Sequence, residues 1–451
     1  MPQAQADGFS PFLQRLGAIF QFSADRARRL ITDFHRQMRL GLAGTPESLQ
    51  MLPTYCPLPT GNETGTFLAL DMGGTNLRVL SVHMDGKGGI GHGRINQHAI
   101  PDNVMTGTAD SLFGFIAARI REFALQHLSH ERRYRLGFTF SFPVEQHSLA
   151  SGRLIAWTKG FTAGGVAGRD VVSLLQAAMR RQGLYHVHIT ALLNDTTGTM
   201  ARQRYHDPDC DMGVILGTGT NACYAEHCNR IANIAKATGK MIINMEWGNF
   251  NGIKQTKYDQ RVDASTPNSG SQLFEKMVSG MYLGELVRIV ISDMASKGLV
   301  FNAAQRPEVF FTPHAFTAAH VSAVLADTSQ TMDGTSSLLD SLGNKDYSLW
   351  DMQALGTVCR LAASRAARLA ATAMAAVVTW MDPDLSATHT IAIDGSLFEK
   401  MPGFARNISA MLQELLVVQA RQIRLQPAKD GSGIGAAVVA ATTHKPKEDT
   451  R

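Results

Sequence analysis

Cysteine is scarce: five in 451 residues (Cys56, Cys210, Cys223, Cys228 and Cys359), with no CxxC pair and no even set. That excludes a disulfide-built fold and makes a reduced, cytoplasmic home the expectation. Cys210, Cys223, His227 and Cys228 lack the paired spacing of a zinc site, and no HExxH occurs among the fifteen histidines. Long apolar runs are missing too. The longest strongly apolar, charge-free stretch covers 369–381, between Arg368 and Asp382, short of the about 20 residues a membrane span needs. It reads as a buried helix, and no membrane association is expected. No basic residue precedes Arg15, so nothing resembles a signal peptide. No run of five basic residues occurs and the net charge is only +5, so nucleic-acid binding has no electrostatic footprint. What remains is 44% apolar and 18% charged, the makeup of a soluble globular protein of roughly three units or two large lobes.

Periodicity divides the chain. Residues 1–50 read as helical, with apolar residues from Phe12 to Phe20 and from Leu30 to Leu40 near helical spacing. PTYCPLPTGNETG at 53–65, with three prolines and two glycines, reads as a linker or turn cluster. From Thr66, two strands join at a glycine pair, and DGKGG at 85–89 is the next hairpin tip. A helix is expected over 108–130. LGFTFSFP at 136–143 alternates as a half-buried strand, with Phe138, Phe140 and Phe142 on one face. A helix at 170–182, a strand at 186–193 and a helix after Asp195 continue the rhythm of a layered α/β protein. Gly74-Thr75-Asn76 recurs 145 positions later as Gly219-Thr220-Asn221, each copy after a strand-like apolar run. Such a long period suits a duplicated α/β lobe rather than a solenoid.

The first copy, Asp71-Met72-Gly73-Gly74-Thr75-Asn76-Leu77-Arg78, is either an ordinary hairpin turn or a phosphate cradle. Glycines let backbone N–H groups approach an anion, Thr75 and Asn76 add donors, Arg78 adds a cation, and Asp71 could orient a hydrated Mg²⁺. The second copy, Gly217-Thr218-Gly219, favours the cradle, since two facing loops would grip ATP from both lobes. Asp195 ends the strand-like ITALLND before a helix. It could accept a proton from an attacking hydroxyl in phosphoryl transfer, or simply cap that helix.

Longer stretches carry a resemblance. FLALDMGGTNLRVL, IPDNVMTGTADSLFGFIA, LGFTFSFPVEQ, WTKGF, LLNDTTGTM, INMEWGNF, VSGMYLGELVR and IAIDGSLFEK resemble the hexokinases in order, over most of 30–300 and 350–440. These belong to the superfamily of sugar kinases, actin and heat-shock ATPases. The resemblance implies two α/β lobes of duplicated ribonuclease-H-like topology around a cleft. Residues 61–193 would form a small domain and 194–432 a large one, which 1–60 joins and from which 433–451 returns. It implies one catalytic unit, transfer of the MgATP γ-phosphoryl to the 6-hydroxyl of glucose as glycolysis begins, and closure on sugar. Carried over by position, Asp195 and Lys159 are catalytic. Ser141, Phe142, Thr158, Lys159, Asn194, Asp195, Asn221, Glu246 and Glu275 hold the hexose. Asp71, Gly73, Gly74, Thr75, Asn76, Arg78, Gly217, Thr218, Gly219, Gly280, Gly395 and Ser396 hold ATP, and no residue ligates metal directly. Met281 and Ile434 stand where the family often has lysine, and the glycines of 430–437 suit a hinge before the last helix. A sugar sensor on this fold would have lost Asp195; an actin-like ATPase would lack Ser141, Thr158-Lys159 and Glu246.

Overall fold

The structure is a computed structural model that describes residues 3–158, 160–232, 234, 238–301 and 307–444. Its strands are β1 (Leu52–Pro57), β2 (Thr64–Met72), β3 (Asn76–Asp85), β4 (Ile90–Ala99), β5 (Tyr134–Phe140), β6 (Val144–Ser148), β7 (Ser151–Leu154), β8 (Val187–Leu193), β9 (Cys210–Leu216), β10 (Thr220–His227), β11 (Lys240–Asn244), β12 (His389–Asp394) and β13 (Ile423–Pro427). One sheet runs β4-β3-β2-β5-β8 and the other β1-β11-β10-β9-β12-β13, with β6 and β7 a separate hairpin. Without β1, the second sheet repeats the first: an antiparallel meander, then two parallel strands. The Gly-Thr-Asn repeat is the sequence trace of this duplication, because each copy joins the first two strands of its sheet.

Three apolar cores follow. One face of the first sheet packs on helices Ala109–His127 and Val171–Arg181. One face of the second packs on Ala24–Leu42, Gly280–Ser296, Leu349–Met381 and Phe404–Leu416. Between the sheets lie Asp195–His206 and Gly431–Thr442. Small residues bring those two helices together: a Cβ on Gly435 would stand 1.9 Å from the Gly198 carbonyl oxygen. By length and composition Leu349–Met381 could cross a membrane, yet its apolar window is mostly buried here.

Three expectations need correction. The 53–65 cluster is not all linker, because β1 occupies part of it. Pro53 and Pro57 are tolerated there because β1 is an edge strand, where a missing N–H breaks no inner ladder. The β5 strand is not half-buried: Thr139 is fully buried and donates to the Ser432 carbonyl at 2.9 Å, since helix Gly431–Thr442 covers that second face. The 430–437 glycines are no hinge loop either. From Gly431 onward they lie inside that helix, where lack of a Cβ permits close helix contact rather than bending.

Candidate active site

The site is built where strands of both sheets end. Asp71 ends β2 with its carboxylate buried, and Arg78 faces it across the β2–β3 ladder. Arg78 donates through Nε to Asp71 Oδ2 at 3.2 Å and through Nη1 to Asp430 Oδ1 at 2.7 Å. Ser432 Oγ also donates to Asp71 at 3.1 Å. The expected phosphate cation is thus held between two carboxylates and ties β3 to the start of the last helix. The turn itself, Gly73-Gly74-Thr75 followed by Asn76, is open: a Cβ on Gly74 would meet nothing within 4 Å, and one on Gly73 only Ser141 Oγ at 3.8 Å. This places the first loop beside Ser141.

Glycine decides the second loop through close approach. Gly395 has φ +124°, and a Cβ there would sit 2.3 Å from the Leu216 carbonyl oxygen. Gly280 N donates to Gly217 O at 2.8 Å and Met281 N to Thr218 O at 3.1 Å. Gly217-Thr218-Gly219 is therefore clamped between helix Gly280–Ser296 and the β12 end, with Thr218 exposed. Ser396, also exposed, begins the short helix Ser396–Lys400. Met281 is 61% exposed at the rim, a thioether where a cation could have stood.

A carboxylate–amide cluster occupies the adjoining strand ends. Asn221 Nδ2 donates to Asn244 Oδ1 at 2.9 Å and Glu246 Oε1 at 3.1 Å, and Asn244 Nδ2 donates to Glu246 Oε1 at 2.8 Å. Glu246 itself has left-handed φ 51°, ψ 48°, a strained state that persists only where surroundings enforce it. Glu275 accepts from Thr220 N at 2.9 Å, and a Cβ on Gly219 would meet its Oε2 at 2.7 Å. The residues expected to hold sugar and the loop expected to hold phosphate are thus joined through the Gly219–Asn221 backbone.

Asn194 and Asp195 open helix Asp195–His206. The cap is Asn194 rather than Asp195, its Oδ1 accepting from Thr197 N and Thr196 Oγ1, each at 3.0 Å. Thr196 N donates to Asp195 Oδ1 at 2.9 Å, orienting the carboxylate. Asn194 Nδ2 is buried with no acceptor among the described residues. Thr158 is exposed on the loop after Trp157. Lys159 lies outside the described residues. The Phe142 ring is buried against Trp157 and Phe161 at centroid distances of 5.0 Å.

Two residues escaped the sequence reading. Asn244 binds Glu246 from an otherwise apolar strand, and only the register with β10 reveals it. Asp394 accepts from Gly431 N at 3.2 Å. Burial pushes its carboxyl up to about 6, and the charges of Glu399 and Asp195 add to the shift.

Two family models, both described as Hexokinase, match residues 13–205 and 211–442. A chloroplastic hexokinase-4 of Oryza sativa subsp. japonica is 42% identical, over 93% of this chain and 86% of its own. A chloroplastic hexokinase-2 of Nicotiana tabacum is 40% identical, over 91% and 86%. The solved hexokinase from Schistosoma mansoni complexed with glucose superposes with a TM-score of 0.85 at 34% identity, covering 97% of this chain and 99% of that one. The expected fold class stands. The cytoplasmic expectation does not, since similar relatives are named chloroplastic. Its premise was also weak: all five thiols are free and buried, so their number says little about the compartment outside.

Proposed function

The chain belongs to the hexokinase family, and from that premise we propose how its cleft residues divide the work. The enzyme is an ATP:hexose 6-phosphotransferase that moves the γ-phosphoryl of ATP to the 6-hydroxyl of glucose. Asp195 takes the proton of that hydroxyl as its oxygen attacks, and Lys159 supplies positive charge to the transition state. Ser141, Thr158, Asn194, Asn221, Glu246 and Glu275 answer the remaining hydroxyls, with Phe142 contributing backbone alone. Such pairing rejects analogues lacking a hydroxyl, because a buried polar group is then left unmatched. Gly73-Gly74-Thr75-Asn76 and Gly217-Thr218-Gly219 cradle the phosphates; Gly395, Ser396 and Gly280 border the nucleoside.

Mg²⁺ belongs to the same proposal: when bound, it neutralises phosphate charge. The crowding of Asp394 by Asp195 and Glu399 fits a nearby cation, and Asp71 and Asp394 would orient its waters. The division into 61–193 and 194–432, flanked by 1–60 and 433–451, is the lobe assignment we adopt.

The observation that carries this reading is the pair at one helix start: an oriented carboxylate beside a buried amide donor with no acceptor among the described residues. A coupled assay of ADP release with Mg²⁺ and several hexoses tests it. Glucose-dependent turnover is expected, and Asp195→Ala should cut kcat by about 10²–10⁴. No turnover with any hexose would overturn the activity; a fully active Asp195→Ala would overturn the base.

A further inference from the structure

Helix Ala24–Leu42 contacts no substrate in the reading above, yet one of its faces reaches the segments bearing both sugar carboxylates. Gln37 and Phe34 stand three residues apart and share that face. The Gln37 amide is 1% exposed and hydrogen-bonds through both its oxygen and its nitrogen. Its Oε1 accepts from Ser48 Oγ. Its Nε2 donates to Asp33 Oδ2 and Asn251 Oδ1, each at 3.2 Å. Ser48 Oγ in turn accepts from Asn251 N at 3.3 Å, while Gln50 N donates to Met245 O at 3.1 Å. The segment 245–251, with left-handed Glu246 inside it, is therefore tied at both ends: Met245 by the Gln50 backbone, and Asn251 by the buried Gln37 and Ser48 side chains. Phe34 performs the apolar counterpart. Its ring lies 4.5 Å from Phe250 and 6.4 Å from Phe274, and Phe274 precedes Glu275.

We propose that Gln37 is a positioning residue for sugar binding: with Ser48 and Asn251 it holds the turn that presents Glu246, and Phe34 beside it steadies the helix that presents Glu275. The strained backbone of Glu246 needs such an outside constraint, because the φ it adopts is disfavoured for a non-glycine residue. The clamp acts on Glu246 first and reaches the Gly217-Thr218-Gly219 loop through the bonds of Glu246 and Trp247 to Asn221 and Thr220, so its loss should weigh on the sugar more than on ATP. This inference rests on the assignment of Glu246 to the sugar.

Gln37→Leu and Ser48→Ala, made singly and together, test it by steady-state kinetics with glucose and ATP. Each single variant should raise the glucose KM about tenfold, the scale of a small misplacement transmitted to a binding group. The ATP KM should stay within about twofold of wild type. The double variant should be little worse than either single one, since both break the same clamp. Arg28→Ala, on the exposed side of the helix where Arg28 pairs with Asp25, should leave the glucose KM unchanged. A wild-type glucose KM in both singles, with only the melting temperature lowered, would overturn the positioning role. Should Gln37→Leu fail to fold, Ser48→Ala decides alone, because it removes one hydroxyl and adds no volume. A wild-type enzyme inactive on glucose would instead strike the underlying assignment. An unchanged KM in Ser48→Ala beside a raised KM in Glu246→Ala would strike only the clamp.

Discussion

Asp394 shows how a residue's chemistry depends on partners remote in sequence. The IAIDGSLF segment marks a strand followed by a turn, and an aspartate there looks like ordinary turn chemistry. What makes it unusual is burial beneath Gly431 and the charge of Asp195, both remote in sequence, added to that of nearby Glu399. With its carboxyl near 6 when folded and near 3.9 when unfolded, the native state holds a proton between those values that the unfolded chain has released. Stability from this group therefore falls as pH rises from about 4 to about 6, and stays lost above. Asp394→Asn keeps an acceptor for Gly431 N and removes the buried charge. After discounting for partial exposure it should gain roughly 1–2 kcal/mol at pH 7.5 and almost nothing at pH 4. Thermal melts of nucleotide-free protein at both pH values check this, and an equal gain at both would show that charge is not the cause. The same substitution should weaken Mg²⁺-dependent turnover.

Among elements, the pair of helices between the sheets was the hardest to foresee. Glycines at 431, 433 and 435 look like a flexible hinge in sequence, because nothing local says that another helix crosses there. The structure gives them different duties. A methyl at 435 would collide with the Gly198 backbone at 1.9 Å, whereas one at 433 would meet the Leu80 side chain at 3.4 Å and the Asp71–Arg78 pair at 3.7 and 3.8 Å, all ordinary contact distances. Gly435→Ala should force the helices apart and cost at least about 1–3 kcal/mol, the range for overpacking. Gly433→Ala should be near neutral, since alanine favours a helix by about 1 kcal/mol over glycine. Equilibrium denaturation midpoints compare them; equal effects would mean the seam is looser than drawn. Elements whose periodicity depends on their own residues were legible: the hairpin tip at 85–89, helices Ala109–His127 and Val171–Arg181, and strand β8. Those settled by a partner were not. β1 needed β11 beside it to be a strand, and β5 needed the last helix to bury its second face.

At the scale of the whole molecule, the duplication visible in two Gly-Thr-Asn copies explains why the predicted site residues fall on both sheets. Ser141 follows β5 and Thr158 the β6–β7 hairpin; Asn221, Glu246 and Glu275 belong to the second sheet and its helices. A hexose touching both sets would draw them together. Water is smaller and far more abundant than glucose, so a permanently assembled site would hydrolyse ATP; letting sugar assemble the site suppresses that loss. We expect the helices between the sheets to set the axis of that closure, because Thr139–Ser432 and Asp71–Arg78–Asp430 tie the first sheet to the start of Gly431–Thr442. These ties should hold while the outer parts swing. Saturating glucose should therefore lower the radius of gyration in small-angle scattering, and ATP alone should leave it unchanged. Glu246→Ala should lose glucose affinity and compaction together, since it removes a bridging contact from the second lobe. Compaction by ATP alone would move the trigger from the sugar to the phosphate loops. Unchanged scattering at confirmed glucose saturation would mean that water is kept out by a pocket formed before substrate arrives.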